Sequence, residues 1–374
     1  MKDSATIEYI KRKIGSKQSF KWRVNTLLPL LLLIFITAIL LFSLILVHSM
    51  SKAIEDNLIA LGGGHITAYS PTESAICDKT RVSNGLIYSK DNTNLVRFKG
   101  VEDDYFSSDK SDMINLVISD EESNLKKIVL SEMMAKSLEL NIGDKTAILL
   151  YDQALGRVRP VYVFVSGIYS TGYKEFDQNL VFCDISLLGG SYIYEITTDE
   201  DVDLLLEEMR SKGIDAYSYK EINYGTYNNL IVSKTIFNFI AVLIALLAGL
   251  FSISISNEYI LRDKRDIASA QVIGFSKKQI ASMYQKITLS LVAIALALGT
   301  ILSLIMANLT LLILPKLDVM QYPALQNYIL NFNLEFPLLP MVISLFSLFL
   351  VSFISLHISL RENAFQSLKK SLTP

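Results

Sequence analysis

The chain has 374 residues, of which 51% are hydrophobic and 19% charged, with a formal net charge of −2. That is too apolar for an ordinary soluble protein, yet it leaves room for a sizeable polar domain. A near-neutral balance is uninformative about nucleic acid; no nucleic-acid partner is expected.

Residues 1–26 carry Lys2, Lys11, Arg12, Lys13, Lys17, Lys21 and Arg23. Ile7, Ile10 and Ile14 share one face of a helix, with Lys11, Arg12 and Lys13 beside them. Two readings are open: an amphipathic segment lying on the inner membrane surface, or a solvated basic tail. A bilayer core of about 30 Å takes about 20 apolar helical residues. Residues 27–47 reach that length without a charge, exceed a signal-peptide core and precede no small-residue cleavage site.

Residues 48–235 are long enough for a folded domain with its own core. Gly62-Gly63-Gly64 predicts a flexible turn where the span gives way to the domain; no Lys-Ser/Thr follows to make a phosphate loop. Ser131 is placed to cap a helix through Met134 and Leu138 that stops before Gly143. Residues 146–151 and 161–165 read as strands joined by the polar segment 152–160. Thr198 or Asp199 is expected to cap a helix carrying Val202, Leu205, Leu206 and Met209, stopped by Gly213. The domain is therefore expected to be mixed α+β. Cys77 and Cys183 both fall in it; one disulfide and two unpaired thiols are both open.

Three more charge-free runs of spanning length follow, 236–256, 287–314 and 336–360. The loop 257–286 carries Arg262, Lys264, Arg265, Lys277, Lys278 and Lys286, the loop 315–335 only Lys316, and the tail Arg361, Lys369 and Lys370. Short basic loops stay in the cytoplasm. Both termini and the 257–286 loop are thus expected inside, and residues 48–235 outside, in a multi-pass inner-membrane protein.

No GxxxxGK[ST], HExxH, GxSxG or CxxC occurs, and His48, His65 and His357 are scattered. No catalytic, metal-binding or cofactor-binding residue is assigned, and the chain is not expected to be an enzyme. No Asp, Glu, Lys or Arg lies within the four runs. Intramembrane ionisable groups mark ion paths and proton relays, so a proton- or sodium-driven carrier is disfavoured. Energy must come from a partner, and the machine must handle something apolar or transmit force. Residues 262–276 read as a short helix stopped by Gly274, with Ile267, Ala270 and Ile273 on one face and charges crowding its start. Such a face suits a groove on another protein; a basic helix resting on lipid headgroups is the other reading.

The whole chain resembles the permeases of the MacB/FtsX-like ABC transporters, and within them the lipoprotein-releasing LolC/LolE type. Val129-Leu130-Ser131-Glu132, continuing through Ala135 and Leu138 to Gly143-Asp144, is similar to one family segment. A second covers Gly167-Ile168-Tyr169, Thr171-Gly172-Tyr173-Lys174-Glu175-Phe176-Asp177 and Leu180-Val181-Phe182. Asp263-Lys264-Arg265-Asp266-Ile267-Ala268 through Ile273-Gly274-Phe275-Ser276 resembles the helix that couples the permease to its ATPase.

The resemblance implies two permease subunits, identical or sibling chains, with two ATPase subunits that hold ATP and Mg. It implies extraction of acylated lipoproteins from membrane lipids and transfer to a periplasmic carrier. The coupling residues it assigns are Asp263, Lys264, Asp266, Ile267, Ala268, Ile273 and Gly274. In LolC-type permeases a hook between two strands docks the carrier; its counterpart here, 152–160, is shorter and keeps Gly156, Arg157 and Pro160. Gly167, Gly172, Tyr173, Glu175 and Asp177 are the family-motif residues of the outside domain. MacB-like export of amphiphiles and FtsX-like force transmission are the alternatives within the superfamily. A receptor would need an output domain that the short inner segments do not supply.

Overall fold

The computed structural model describes residues 24–71, 77–89, 92–106, 110–111, 114–119, 124–152, 157–262, 267, 269–270, 272, 274–314 and 332–371. In chain order the elements are α1 (Val24–Gly62), β1 (Ile66–Ala68), β2 (Cys77–Ser89), β3 (Asn92–Val101), β4 (Val117–Ile118), β5 (Lys126–Ser131), α2 (Glu132–Leu138), β6 (Lys145–Asp152), β7 (Arg157–Tyr169), α3 (Lys174–Asn179), β8 (Leu180–Asp184), β9 (Ile193–Ile196), α4 (Val202–Ser211), β10 (Ala216–Ser218), α5 (Tyr219–Ile222), α6 (Tyr224–Arg262), α7 (Lys277–Ile313) and α8 (Leu338–Ser371). Of the amphipathic segment expected over 1–26, residues 1–23, and of the loop expected over 315–335, residues 315–331, lie outside the described residues.

Among the described residues, four helices are long and apolar enough to cross a membrane: Leu28–Gly62, Tyr224–Asn257, Lys278–Ile313 and Leu338–His357. The chain is a membrane protein with an α+β domain between its first and second candidate spans. The helices outrun the expected spans. Each 39-residue helix, α1 and α6, is about 58 Å long at 1.5 Å per residue, roughly twice the bilayer core. Two compact units result, one from Met1–His48, Ser233–Thr310 and Leu334–Pro374, the other from Ser49–Val232 and Leu311–Asn333.

In the first unit, Leu33, Leu40, Leu41 and Leu44 of α1 share a core with Ala241, Ala245 and Ala248 of α6, Val292 and Ala295 of α7 and Leu348 of α8. Lipid gives packed helices no hydrophobic advantage over lipid contact, so close approach has to hold them. A Cβ at Gly249 would lie 2.8 Å from the Leu348 carbonyl oxygen, and Ser352 Oγ donates to the Gly249 carbonyl at 3.3 Å.

In the second unit, β2, β3, β8, β5, β7 and β6 pair in that order, and β6 pairs back onto β2, closing a six-stranded barrel. Strand side chains alternate between faces. Ile87, Val96, Phe98, Ile128, Leu130, Ile148, Leu150, Val163, Val165 and Val181 therefore point inward, and α2 adds Met134, Ala135 and Leu138 to that core. The sheet continues past the barrel in the order β2, β9, β1, β10, a small layer whose buried face packs Leu206 and Met209 of α4.

Several local expectations meet the structure directly. Ser131 is the N-cap of α2, accepting from the Met134 N–H, and Glu139 ends it in the left-handed region at φ 53. The cap of α4 is Asp201, which accepts from Asp203 and Leu204, and not Thr198 or Asp199. Cys77 and Cys183 are unpaired. Cys183 points into the barrel core, where burial pushes its thiol well above the usual range.

The turn expected at Gly62-Gly63-Gly64 is present directly after α1. The segment is a packed joint. Gly64, at φ 73, lies so close to Ile196 that a Cβ would be 2.7 Å from its carbonyl oxygen. Its N–H donates to Ile59, the His65 N–H donates to Ile196, and Thr67 Oγ1 donates to the Gly63 carbonyl at 2.8 Å.

Candidate functional site

The segment between α6 and α7 is the first candidate. Ile267, Ser269, Ala270 and Val272 are helical. Gly274 ends the helix at φ 92, and the Phe275 N–H closes back on the Ala270 carbonyl at 3.0 Å. Ser276 then caps α7 reciprocally with Gln279: the Gln279 N–H donates to Ser276 Oγ, and the Ser276 N–H donates to Gln279 Oε1. Asp263, Lys264, Asp266, Ala268 and Ile273 lie outside the described residues.

The face bearing Ile267 and Ala270 packs within its own unit. Both are buried with Ile260, Ile280, Tyr284 and Leu356 of the same unit. Val272, 89% exposed, stands on the opposite side.

The second candidate is the motif from Gly167 to Asp177. A Cβ at Gly167 would meet the Val117 carbonyl oxygen at 2.8 Å, so this residue lets β4 reach β7. Gly172 turns the chain at φ 69. The Asp177 carboxylate accepts from Thr171 Oγ1 at 2.8 Å and from the Thr171 and Gly172 N–H groups at 3.1 Å each. Burial pushes the Asp177 carboxyl up to about 6, against the pull of those three donors. Ser131 Oγ donates to the Asp177 carbonyl, so the two family-like segments meet. Tyr173 is buried and precedes α3, whereas Glu175 is exposed in its first turn. This cluster closes a turn on itself; it is built for the fold.

The third candidate, 152–160, is not the connecting segment expected. Arg157 and Pro160 lie within β7, paired with Asp152 and Leu149 of β6; Gly156 lies outside the described residues. Register gives this hairpin a context that periodicity did not. Leu95, Leu86, Leu149 and Pro160 form one cross-strand row on the outer barrel face. Tyr162 (71% exposed) and Val158 (55%) flank Pro160 on the same face, and Leu95 is 70% exposed. The result is an apolar sheet surface with the exposed Arg97 and Arg157 near it.

A fourth cluster escaped the sequence reading. Lys99 and Glu195, 3% and 4% exposed, form an ion pair at 2.8 Å. Lys99 Nζ also donates to the Leu61 carbonyl at 2.7 Å and to Tyr105 Oη at 2.8 Å. Tyr105 Oη donates to the Ala60 carbonyl at 3.1 Å, and Thr80 Oγ1 to Glu195 Oε1 at 2.9 Å. Burial draws the Lys99 ammonium below its usual range, opposed by the Glu195 charge. Among the described residues no three His, Cys, Asp or Glu side chains gather as metal ligands.

Residues 238–367 match a protein-family model described as FtsX-like permease C-terminal. That segment runs from α6 through most of α8. No curated protein matches the chain. Among solved structures, one similar chain is a domain described as that of a permease protein from Porphyromonas gingivalis. It has 14% identity over 38% of this chain and 71% of that one, with a TM-score of 0.24. Another is the extracellular domain of the ABC-type transporter YknZ from Gram-positive bacteria, at 14% identity over 46% of this chain and 83% of that one, with a TM-score of 0.22.

Proposed function

We propose that this chain is the non-catalytic permease subunit of an ABC-type transporter in the inner membrane. It pairs with a second permease, the same or a sibling chain, and with two copies of a separate ATPase that binds ATP and Mg. The observation that carries the proposal is the FtsX-like permease match over residues 238–367. It includes the inner segment between α6 and α7, to which we assign the ATPase contact. The exposed side at Val272, together with Asp263, Lys264 and Asp266, makes that contact, while Ile267 and Ala270 anchor the segment to its own helices.

The cargo in this reading is acylated lipoprotein. Each acyl CH₂ leaving lipid costs about 0.8 kcal/mol, so release of a multiply acylated anchor needs both nucleotide energy and an apolar receiver. Spans without Asp, Glu, Lys or Arg suit such a chain. The receiver is a periplasmic carrier, and we assign its docking to the β6–β7 hairpin, with Arg157, Pro160 and Tyr162.

The test is reconstitution of the chain with its ATPase in liposomes holding a fluorescent triacylated protein, with a soluble lipoprotein carrier outside. ATP-dependent transfer to the soluble fraction is expected. Movement of small amphiphiles without lipoprotein transfer would shift the reading to MacB-like export. ATP hydrolysis with neither would shift it to force transmission.

A further inference from the structure

The end of α1 is unusual in how its free carbonyls are satisfied. The last four carbonyls of a helix have no partner within it. Here two of them, from Ala60 and Leu61, are taken by side chains from β3 and from the turn after it: Lys99 for Leu61 and Tyr105 for Ala60. Lys99 stands on the outer barrel wall, and its counter-charge Glu195 stands on β9 of the small layer. Thr80, on the part of β2 that pairs with β9, donates to Glu195 Oε1, while Lys99 reaches both carboxylate oxygens. One buried cluster therefore ties three bodies together: the helix arriving from the first span, the barrel and the small layer. A charge pair is a costly way to fill space in a core, since apolar residues of similar volume are often as stable or more so. What an apolar pair cannot supply is a donor for the Leu61 carbonyl.

We propose that Lys99 and Glu195 form a clasp that fastens the last turn of α1 simultaneously to the barrel and to the small layer, so that a displacement of α1 moves both together. Tyr105 is the second strap. Its ring lies beside Lys99 and under Lys110, whose ammonium is 3.9 Å from the ring centroid, and Lys110 is paired with Asp78 of β2. The packed glycine joint that follows leaves no slack beyond the clasp. The clasp belongs to the mechanics of the domain and is independent of cargo.

The test is hydrogen–deuterium exchange on the full-length chain in lipid nanodiscs. A single Lys99→Met change strands a buried carboxylate, so the deciding variant is Lys99→Met with Glu195→Met, which removes both charges and keeps the volume. Amides of residues 60–65 are expected to exchange at least about tenfold faster, the loss of one hydrogen bond to a charged donor. Amides of Val163, Val165 and Val181 inside the barrel stay within about twofold of native. Tyr105→Phe gives a smaller acceleration at the same residues. Native exchange at 60–65 in the double variant would overturn the clasp. So would equal acceleration inside the barrel, or failure of the double variant to fold, because either makes the pair an ordinary part of the core.

Discussion

Asp177 carries the most specific of the family-like matches, and its environment shows why an acid sits there. Three donors from Thr171 and Gly172 converge on the carboxylate, closing the turn into α3. Burial nonetheless raises its proton affinity, to a pKa of about 6. Between about pH 4 and pH 6 the folded chain thus binds a proton that the unfolded chain does not. This group's contribution to stability is full below about pH 4 and is lost as pH rises through about 6, by about 3 kcal/mol as an upper limit. Thermal unfolding of the purified full chain should therefore show a smaller rise in midpoint from pH 7.5 to pH 4.5 in Asp177→Asn than in the native protein. An unchanged pH profile would remove Asp177 from the account. The cap at Ser131 was legible because capping is local chemistry, three residues from donor to acceptor. Lys99 was not, because its counter-charge Glu195 is 96 positions away and nothing in a lone lysine on a strand announces burial.

At the scale of elements, the segment between α6 and α7 separates pattern from placement. Periodicity put Ile267 and Ala270 on one face, and Gly274 at the stop. It could not say whether that face meets a foreign groove or the segment's own helices, since both uses need the same apolar spacing. The structure buries it against Tyr284 and Leu356. Val272→Asp is therefore expected to abolish stimulation of the partner ATPase with little effect on membrane insertion or thermal stability. Ile267→Asp, which places a charge in the packed face, is expected to lower stability by several kcal/mol. Gly274→Pro, fixing φ near −65° where the chain needs +92°, should also uncouple. Equal ATPase stimulation by the native and Val272→Asp chains in proteoliposomes would refute the assignment. The β6–β7 hairpin was half legible in the same sense. Its strands followed from β-branched and aromatic runs, but the row from Leu95 to Pro160 depends on register across four strands, which a single sequence does not encode locally.

At the scale of the whole molecule, the four spans were readable because hydrocarbon thickness imposes a length and excludes charge over that length. The helices' continuation beyond it was not, since residues past 47 and before 236 mix polar and apolar types. The positive-inside pattern makes a direct prediction. In a chain with Cys77 and Cys183 replaced, a cysteine at exposed Asn84 should react with a membrane-impermeant maleimide on intact cells stripped of their outer barrier. A cysteine at Val272 should react only after permeabilisation. The reverse pattern would invert the topology and remove the ATPase contact with it.

Closure of the ring through β6 and β2 also bears on how the domain avoids recruiting other chains. A sheet's open margin is a template for recruiting foreign chains. Among the described residues, the sheet ends on β10 and β4, of three and two residues, too short to nucleate a ladder. A ring closed in this way offers its neighbours no long strand to polymerise on.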